Sequence, residues 1–403
     1  MTVTAPRALV SGASIAGLST AFWLGRAGWD VQVVERFGAF RDGGQNIDVR
    51  GAAREVLDRM GLAEAVRRQS TTEEGTSVLD GAGRVIARFP VEDPDGPTAE
   101  LEILRGDLAR VILDQLPDRV CVRYGEQIET VRDEGSHVEV TLRSGAVAQY
   151  DLLIIAEGVR SRTRDLVFGS AVSRRELGLT MAYGTIPRTA DDDRWWRWYS
   201  APGGRQITLR PDNRGTARAT LAFTSREQNL ADLPLDQARA ELRRTFQDAG
   251  WQADRVVAGF ESFDDVYVDH LTQIRLTSWS KGRICVTGDA AWCVTPLGGG
   301  GTSLAMVGAY VLAAYLSRAQ FAELGAALAR YEAWMRPLIE DAQKLPPGTP
   351  GLFYPRSEVG VRVLRLAARI GSLGVLRKLT SRIGHVARAG QALPSMNIEQ
   401  NVR

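Results

Sequence analysis

Two segments of this 403-residue chain, far apart in sequence, carry residues that can serve one ligand. The first is Leu9-Val10-Ser11-Gly12-Ala13-Ser14-Ile15-Ala16-Gly17, a glycine-interrupted turn between an apolar run and a helical pattern. Such a turn brings unpaired backbone N–H groups and the positive end of a helix to one point, where they bind pyrophosphate. The second is Gly288-Asp289-Ala290-Ala291, followed by Pro296, the glycines Gly298, Gly299, Gly300 and Gly301, and then Thr302 and Ser303. Here a carboxylate can accept bonds from ribityl hydroxyls, and a helix rising from the glycines can stabilise negative charge on a reduced isoalloxazine ring. One glycine loop alone is a weak sign of a nucleotide. The pair, with one loop suited to each end of the same large molecule, points to FAD.

The elements that must hold these residues follow from periodicity. Arg7 to Val10 reads as a strand, Ile15 to Ala27 as a helix and Trp29 to Glu35 as a second strand, which makes a mononucleotide-binding βαβ unit. The usual fingerprint is G-x-G-x-x-G. Gly12 and Gly17 keep its outer glycines, Ser14 replaces the middle one, Ala13 lies between them, and Ala16 and Gly17 allow the helix to pack close on the strand. Glu35, at the end of the second strand, is placed to accept hydrogen bonds from a ribose. Arg283 to Thr287 reads as a buried strand that delivers Gly288 and Asp289 to the crevice at the carboxyl ends of a parallel sheet, and Leu304 to Leu316 as the helix after the glycines. Four glycines also suit a flexible linker, but a linker is not flanked by a buried strand and an apolar helix.

Between these segments lie further candidates. Arg41-Asp42-Gly43-Gly44-Gln45-Asn46-Ile47-Asp48-Val49-Arg50-Gly51 precedes a helix, Ala52 to Met60, and read alone it is a polar hairpin with solvated charges. Arg105 precedes a helix, Asp107 to Gln115, and its planar fork can reach flavin or phosphate oxygens as lysine cannot. Other chemistries find no support. His137, His270 and His385 are isolated, Cys121, Cys285 and Cys293 lack metal-ligand spacing, and no Ser/His/Asp set is visible, so no catalytic base is assigned. Fifty basic against 48 acidic residues leave no electrostatic footprint for nucleic acid. Without a signal-like N-terminus or an apolar run long enough to span a bilayer, the expectation is a cytoplasmic protein with no stable membrane insertion.

Glu35-Arg36, Leu104-Arg105-Gly106-Asp107-Leu108, Leu152-Leu153-Ile154-Ile155-Ala156-Glu157-Gly158 and Gly288-Asp289 with its proline and glycines are similar, in order and spacing, to the FAD-dependent aromatic hydroxylases. These single-component flavoprotein monooxygenases include para-hydroxybenzoate hydroxylase and the tetracycline-inactivating monooxygenases. The resemblance covers residues 5 to about 345 and implies an α/β fold: a Rossmann-like FAD-binding domain, an inserted antiparallel-sheet substrate domain and a C-terminal helical segment. It implies NAD(P)H and dioxygen as partners, and insertion of one oxygen atom, via a flavin C4a-hydroperoxide, into an aromatic or polycyclic small molecule. It places Arg41 near the nicotinamide cofactor and Gln45, Asn46, Ile47 and Asp48 along the flavin ring, with one extra residue before Asp48. It also implies a role in FAD and nicotinamide binding for Glu157 and Gly158, where the family usually has Asp-Gly. Trp292 stands where relatives commonly carry His, so that residue's role is not transferred.

The expected organisation is FAD-binding domain over 1–75, 100–173 and 271–345, substrate domain over 76–99 and 174–270, and C-terminal helices over 346–403. From Arg174 to about Phe263 short runs alternate polar and apolar positions, as in Arg205 to Leu209 and Thr216 to Phe223, which predicts an antiparallel sheet. Trp195-Trp196-Arg197-Trp198-Tyr199 packs this sheet or lines an aromatic pocket, packing being the default. Val361 to Ile383 mixes Arg with Leu, Val and Ile; it reads as a helix pair bracing the domains, with a dimer contact or a membrane-surface helix as alternatives. A flavin-dependent halogenase is disfavoured, because Trp196-Arg197-Trp198 continues as Tyr199-Ser200 and the first 280 residues lack lysine. A reductase on the same fold and a non-catalytic FAD-containing metabolite-binding protein stay open, as do the substrate and the oligomeric state.

Overall fold

The computed structural model describes residues 5–91, 101–225, 230–319, 323–346, 348–372 and 392–397. The expected substrate-domain residues 92–99, the C-terminal pattern from 373 to 391 and His385 lie outside them.

The chain opens with β1 (Arg7–Ser11), α1 (Ile15–Arg26), β2 (Asp30–Glu35), β3 (Asn46–Asp48), α2 (Ala52–Met60) and α3 (Ala63–Arg68). It continues through β4 (Gly75–Leu79), β5 (Val85–Pro90), β6 (Glu102–Leu104), α4 (Arg105–Leu113) and β7 (Val120–Tyr124). A meander of β8 (Ile128–Asp133), β9 (Val138–Leu142) and β10 (Val147–Tyr150) leads to β11 (Leu152–Ile155) and α5 (Arg162–Phe168). Then come β12 (Val172–Pro187), β13 (Trp195–Ala201), β14 (Arg205–Pro211), β15 (Thr216–Thr224), α6 (Leu235–Phe246), α7 (Ala253–Ser262), β16 (Tyr267–Leu276), β17 (Ser280–Lys281) and β18 (Ile284–Val286). The remaining helices are α8 (Asp289–Trp292), α9 (Thr295–Gly298), α10 (Gly301–Leu316), α11 (Leu324–Gln343), α12 (Thr349–Phe353) and α13 (Glu358–Ser372).

Six strands form one sheet in the order β17-β18-β11-β1-β2-β7, parallel except for β17. Its central strands are apolar because the sheet is covered, α1 packing on β1 and β2 while the β8–β10 meander adds Val138, Val140 and Tyr150 to the same core, and Ala8 to Val10 and Leu152 to Ile155 are fully buried. β1 sits between β2 and β11, with Ser11 paired to Val34 on one side and Ile155 on the other, so its carboxyl end opens at the centre of the sheet edge. This is the α/β, Rossmann-like architecture that the motifs imply.

A seven-stranded sheet, ordered β16-β12-β15-β14-β13-β4-β5, makes the second layer. It is antiparallel except where β4, from an early part of the chain, joins β13 in parallel. Ala182, Ile186, Tyr199, Ile207, Leu221 and Phe223 point to one side and pack on α6 and α7. Those two helices correct the expectation of strands as far as Phe263. Ala238, Leu242 and Phe246, and Ala253, Val256 and Phe260, recur at helical spacing and are buried, and that period overrides the local alternation. At the C-terminus α13 lies on β5 and β13, with Val361 buried and the Arg365 guanidinium donating to the Ser200 carbonyl (3.0 Å), so its inner face packs on the seven-stranded sheet.

Candidate functional site

The crevice at the carboxyl ends of β1, β11 and β18 gathers most of the candidate residues. Gly12 has φ +107°, and a Cβ there would stand 2.5 Å from the Ala156 carbonyl oxygen; a Cβ on Gly17 would stand 1.9 Å from the Gly12 oxygen. The loop is therefore compressed until only glycine fits, and the first turn of α1 opens to the crevice. Ser14 is the N-cap of α1, yet its side chain makes no capping bond. Its hydroxyl accepts from the Arg105 guanidinium (2.6 Å), which thereby crosses the mouth of the loop. Glu35 accepts from the Ala13 N–H (2.9 Å) and the Phe37 N–H (3.1 Å), so its half-buried carboxylate lies against the glycine loop. Arg36 and Arg41 both stack on Phe37 at the surface, with guanidinium carbons 4.8 and 4.3 Å from the ring centroid.

The downstream glycine segment closes the same crevice. Gly288 has φ +61°, and a Cβ there would approach the Ala16 Cβ to 2.6 Å. Asp289 follows, open to solvent but walled by protein, and among the described residues nothing hydrogen-bonds its carboxylate. That enclosure raises its pKa, with Arg105 pulling the other way. Pro296 lies in α9, after Thr295, a β-branched residue held at φ +64°. Gly299 and Gly300 are left-handed, and α10 begins at Gly301 and Thr302 without a side-chain cap. Ser303 ties this helix end to the other candidate segment: its hydroxyl donates to the Asp48 carbonyl (3.1 Å) and accepts from the Arg50 N–H (3.0 Å).

Asn46, Ile47 and Asp48 form β3, paired with β6, and the Gln45 carbonyl accepts from the Arg105 N–H (3.0 Å). Asn46 itself is buried, donating to Glu102 (2.5 Å) and the Pro211 carbonyl (2.9 Å), so it ties the β3–β6 pair to β14 of the seven-stranded sheet. Glu157 is likewise committed inward. Its carboxylate accepts from Ser11 Oγ (2.5 Å), Ser161 Oγ (2.8 Å), and the Thr163 N–H (3.0 Å) and Oγ1 (2.5 Å), which uses the four lone-pair positions of a carboxylate. It braces the β11–α5 turn, and the following Gly158 takes φ +79°. Trp292 is buried against Trp279 (4.4 Å between centroids) and Tyr331 (6.1 Å), so the indole is built into an aromatic core.

One feature of the site is invisible in the motifs. Arg210 on β14 pairs with Glu73 (2.6 Å), Glu102 (2.8 Å) and Asp48 (3.3 Å) and stacks on Trp196 (4.1 Å to the centroid). Three carboxylates around one guanidinium leave an excess of negative charge, though Arg50 also reaches Asp48 (3.7 Å). Glu73 and Glu102 are nearly inaccessible, and burial first, then carboxylate repulsion, raises both pKa values against the pull of Arg210; that of Glu73 reaches about 9. The sequence hint is slight: Arg210 follows Ile207-Thr208-Leu209 on β14, a strand that also carries Arg205 and Gln206.

Across the seven-stranded sheet, the face opposite α6 and α7 carries a cross-strand row of Tyr267, Tyr183, Thr220, Thr208 and Trp198. Tyr183 and Tyr267 stack at 6.3 Å, and Trp196 meets Trp198 edge to face at 4.8 Å. Of the aromatic cluster, Tyr199 serves the core, whereas Trp196 and Trp198 are half-buried on this face. Asp269 neighbours Tyr267 here; burial raises its pKa, Arg160 lowers it and Asp289 raises it further, which places this face beside the Gly288-Asp289 crevice.

The residues fit FAD. Two helix N-termini without side-chain caps, a glycine cradle that any Cβ would fill and an unpartnered carboxylate are arranged along one crevice. Among the described residues no group of His, Cys, Asp and Glu could hold a metal ion, and no helix is long and apolar enough to cross a membrane.

Comparison with known proteins agrees with this geometry. Residues 6–343 match the family described as FAD binding domain. The chain is 36% identical over 352 residues to the uncharacterized protein Rv1260 of Mycobacterium tuberculosis (85% of this chain, 94% of that one). It is 33% identical to the FAD-dependent monooxygenase asL4 of Sarocladium schorii (91% and 92%). The crystal structure of tetracycline destructase Tet(51) superposes with a TM-score of 0.80 at 28% identity, covering 98% of this chain and 100% of that one. Two glycine segments converging on one cofactor crevice and a family match spanning both make this chain a member of the FAD-binding-domain family of flavin-dependent monooxygenases.

Proposed function

We propose that this chain uses NAD(P)H and dioxygen to insert one oxygen atom into an aromatic or polycyclic small molecule. The observation that carries this reading is the aromatic sheet face set beside the cofactor crevice. Bound FAD supplies the electron transfer and the oxygen activation. The free N–H groups at the start of α1 hold the pyrophosphate, with Gly12 and Gly17 keeping the backbone close and Arg105 closing the mouth through Ser14. Glu35, held against the loop by the Ala13 N–H, accepts a ribose hydroxyl, and Asp289 accepts from the ribityl chain. The start of α10, at Gly301 and Thr302, would offer its free N–H groups to the flavin and stabilise negative charge on the reduced ring. Arg41, exposed on Phe37, is available to NAD(P)H.

The wall of Tyr183, Tyr267, Thr208, Thr220 and Trp198 would receive the substrate, its aromatic surfaces suiting a flat, multi-ring molecule. That Tet(51) is a tetracycline destructase supports the polycyclic class. Glu157 gives no ground for lost catalysis, since its carboxylate serves the Ser11, Ser161 and Thr163 bonds.

The test is NAD(P)H oxidation by the FAD-loaded protein against a panel of phenolic and polycyclic aromatic compounds, with mass spectrometry of the products. A compound that accelerates oxidation and gains one oxygen atom supports the proposal. Peroxide as the only product for every compound, or no oxidation by the FAD-loaded protein, contradicts it.

A further inference from the structure

Helix α13 presents an apolar stripe to solvent. Val359, Val363, Leu366 and Ile370 are 67, 59, 57 and 39% exposed, and their spacing of four, three and four residues places all four on one narrow face. Scattered exposed apolar residues are ordinary, whereas a contiguous row marks a docking surface. The opposite face is already used, since Val361 is buried and Arg365 bonds the Ser200 carbonyl of β13, so the stripe is not a mis-set core face. Arg362 and Arg369 are exposed on one flank of the stripe. Neighbouring α12 adds Leu352, exposed by 67%.

Charge points to the occupant. Helix α13 carries Arg362, Arg365 and Arg369 against Glu358 alone, which pairs with Arg362 (3.5 Å), so it is net basic in a chain that nets only +2. A second copy of the chain would bring the same basic surface against itself in a symmetric contact, which is unfavourable. An anionic lipid surface is complementary to both features. Basic side chains beside an apolar stripe on a helix too short and too charged to span a bilayer describe a helix that lies in the membrane interface.

We propose that α13 docks the protein reversibly on anionic membranes through Val359, Val363, Leu366 and Ile370, with the flanking arginines on lipid headgroups. The surface is independent of the redox reading, and it brings the substrate layer, through β13, close to a bilayer in which apolar multi-ring molecules concentrate.

The experiment uses the full-length FAD-loaded protein in co-sedimentation with vesicles of equal phosphatidylglycerol and phosphatidylcholine, and with phosphatidylcholine alone. Binding is expected on the anionic vesicles, weakened about tenfold on neutral ones or in 0.5 M salt. The double variant Val363→Asp, Leu366→Asp alters only exposed positions, so it should keep its flavin spectrum and melting temperature while losing anionic-vesicle binding by about tenfold or more. Equal binding by wild type and variant, or no binding by wild type, overturns the proposal. So does a concentration-dependent dimer that the variant abolishes without any vesicle binding, which would assign the stripe to a second copy.

Discussion

Replacing Glu73 by Gln removes one carboxylate from the cluster around Arg210 while keeping a side-chain carbonyl for the guanidinium. In the folded chain burial lifts Glu73 from 4.5 to about 9, so it binds a proton across a range where the unfolded chain has released it. A raised carboxyl pKa contributes stability that is whole below about pH 4.5 and lost progressively as the pH rises toward 9. One extra proton in the folded state corresponds to a loss of roughly 3 kcal/mol between pH 6 and 8. With an unfolding entropy of about 2.1 cal/mol/K per residue, that is about 3 °C for a chain of this size unfolding as one unit. In Glu73→Gln the Glu73 proton has no site, while Glu102, raised by its own burial, is present in both proteins. The assay is calorimetric melting of wild type and variant at pH 6 and 8. Wild type should lose about 3 °C more than the variant over that interval, other titrating groups cancelling in the difference. Parallel pH dependence in the two proteins would refute the proton held on Glu73.

Other expectations concern the crevice. Asp289→Ala should weaken FAD binding by about 2 kcal/mol, roughly thirtyfold, through loss of a charged hydrogen bond, as read by flavin fluorescence quenching; an unchanged Kd would contradict the placing of the ribityl chain. Glu157→Ala leaves the buried Ser11, Ser161 and Thr163 donors without their acceptor and should cost about 3 kcal/mol or more in denaturant unfolding, whereas a loss below about 1 kcal/mol would show that the brace is dispensable. Gly12→Ala puts a methyl 2.5 Å from the Ala156 oxygen at φ +107° and should abolish FAD retention on gel filtration, while Gly43→Ala, with nothing within 4 Å, should retain it.

What was legible in the sequence was what depends on local pattern. β1, α1, β2 and the strand before Gly288 are mainly apolar segments set off by glycine, so their order follows from periodicity. Helix α10 begins three residues before the expected Leu304, because left-handed Gly300 starts it and glycine at Gly301 was read as loop. The sheet around Arg205 and Thr216 was readable, while α6 and α7 were not, since short helices with many charged residues mimic alternation. The bonds of Ser303 to Asp48 and Arg50 span some 250 residues, and the Arg210 cluster draws on four segments; only the folded chain brings such groups together. Asn46 and Glu157 show the converse: a motif position locates a residue in the chain but does not fix which way its side chain turns.

The placing of β1 between β2 and β11 has a consequence for how the protein is made. When β1 leaves the ribosome its first partner follows within about twenty-five residues, but its other edge pairs with Leu152–Ile155, and β18 arrives only at Ile284–Val286. Until then a wholly apolar strand carries an unpaired edge, the type of surface that recruits foreign strands. Helix α10, which packs on α1, is later still. Folding is therefore dominated by pairings distant in sequence and is slow, and fragments ending before about residue 290 should aggregate on expression. FAD, gripped by both ends of this late-closing structure, would favour the completed chain over its unfinished forms.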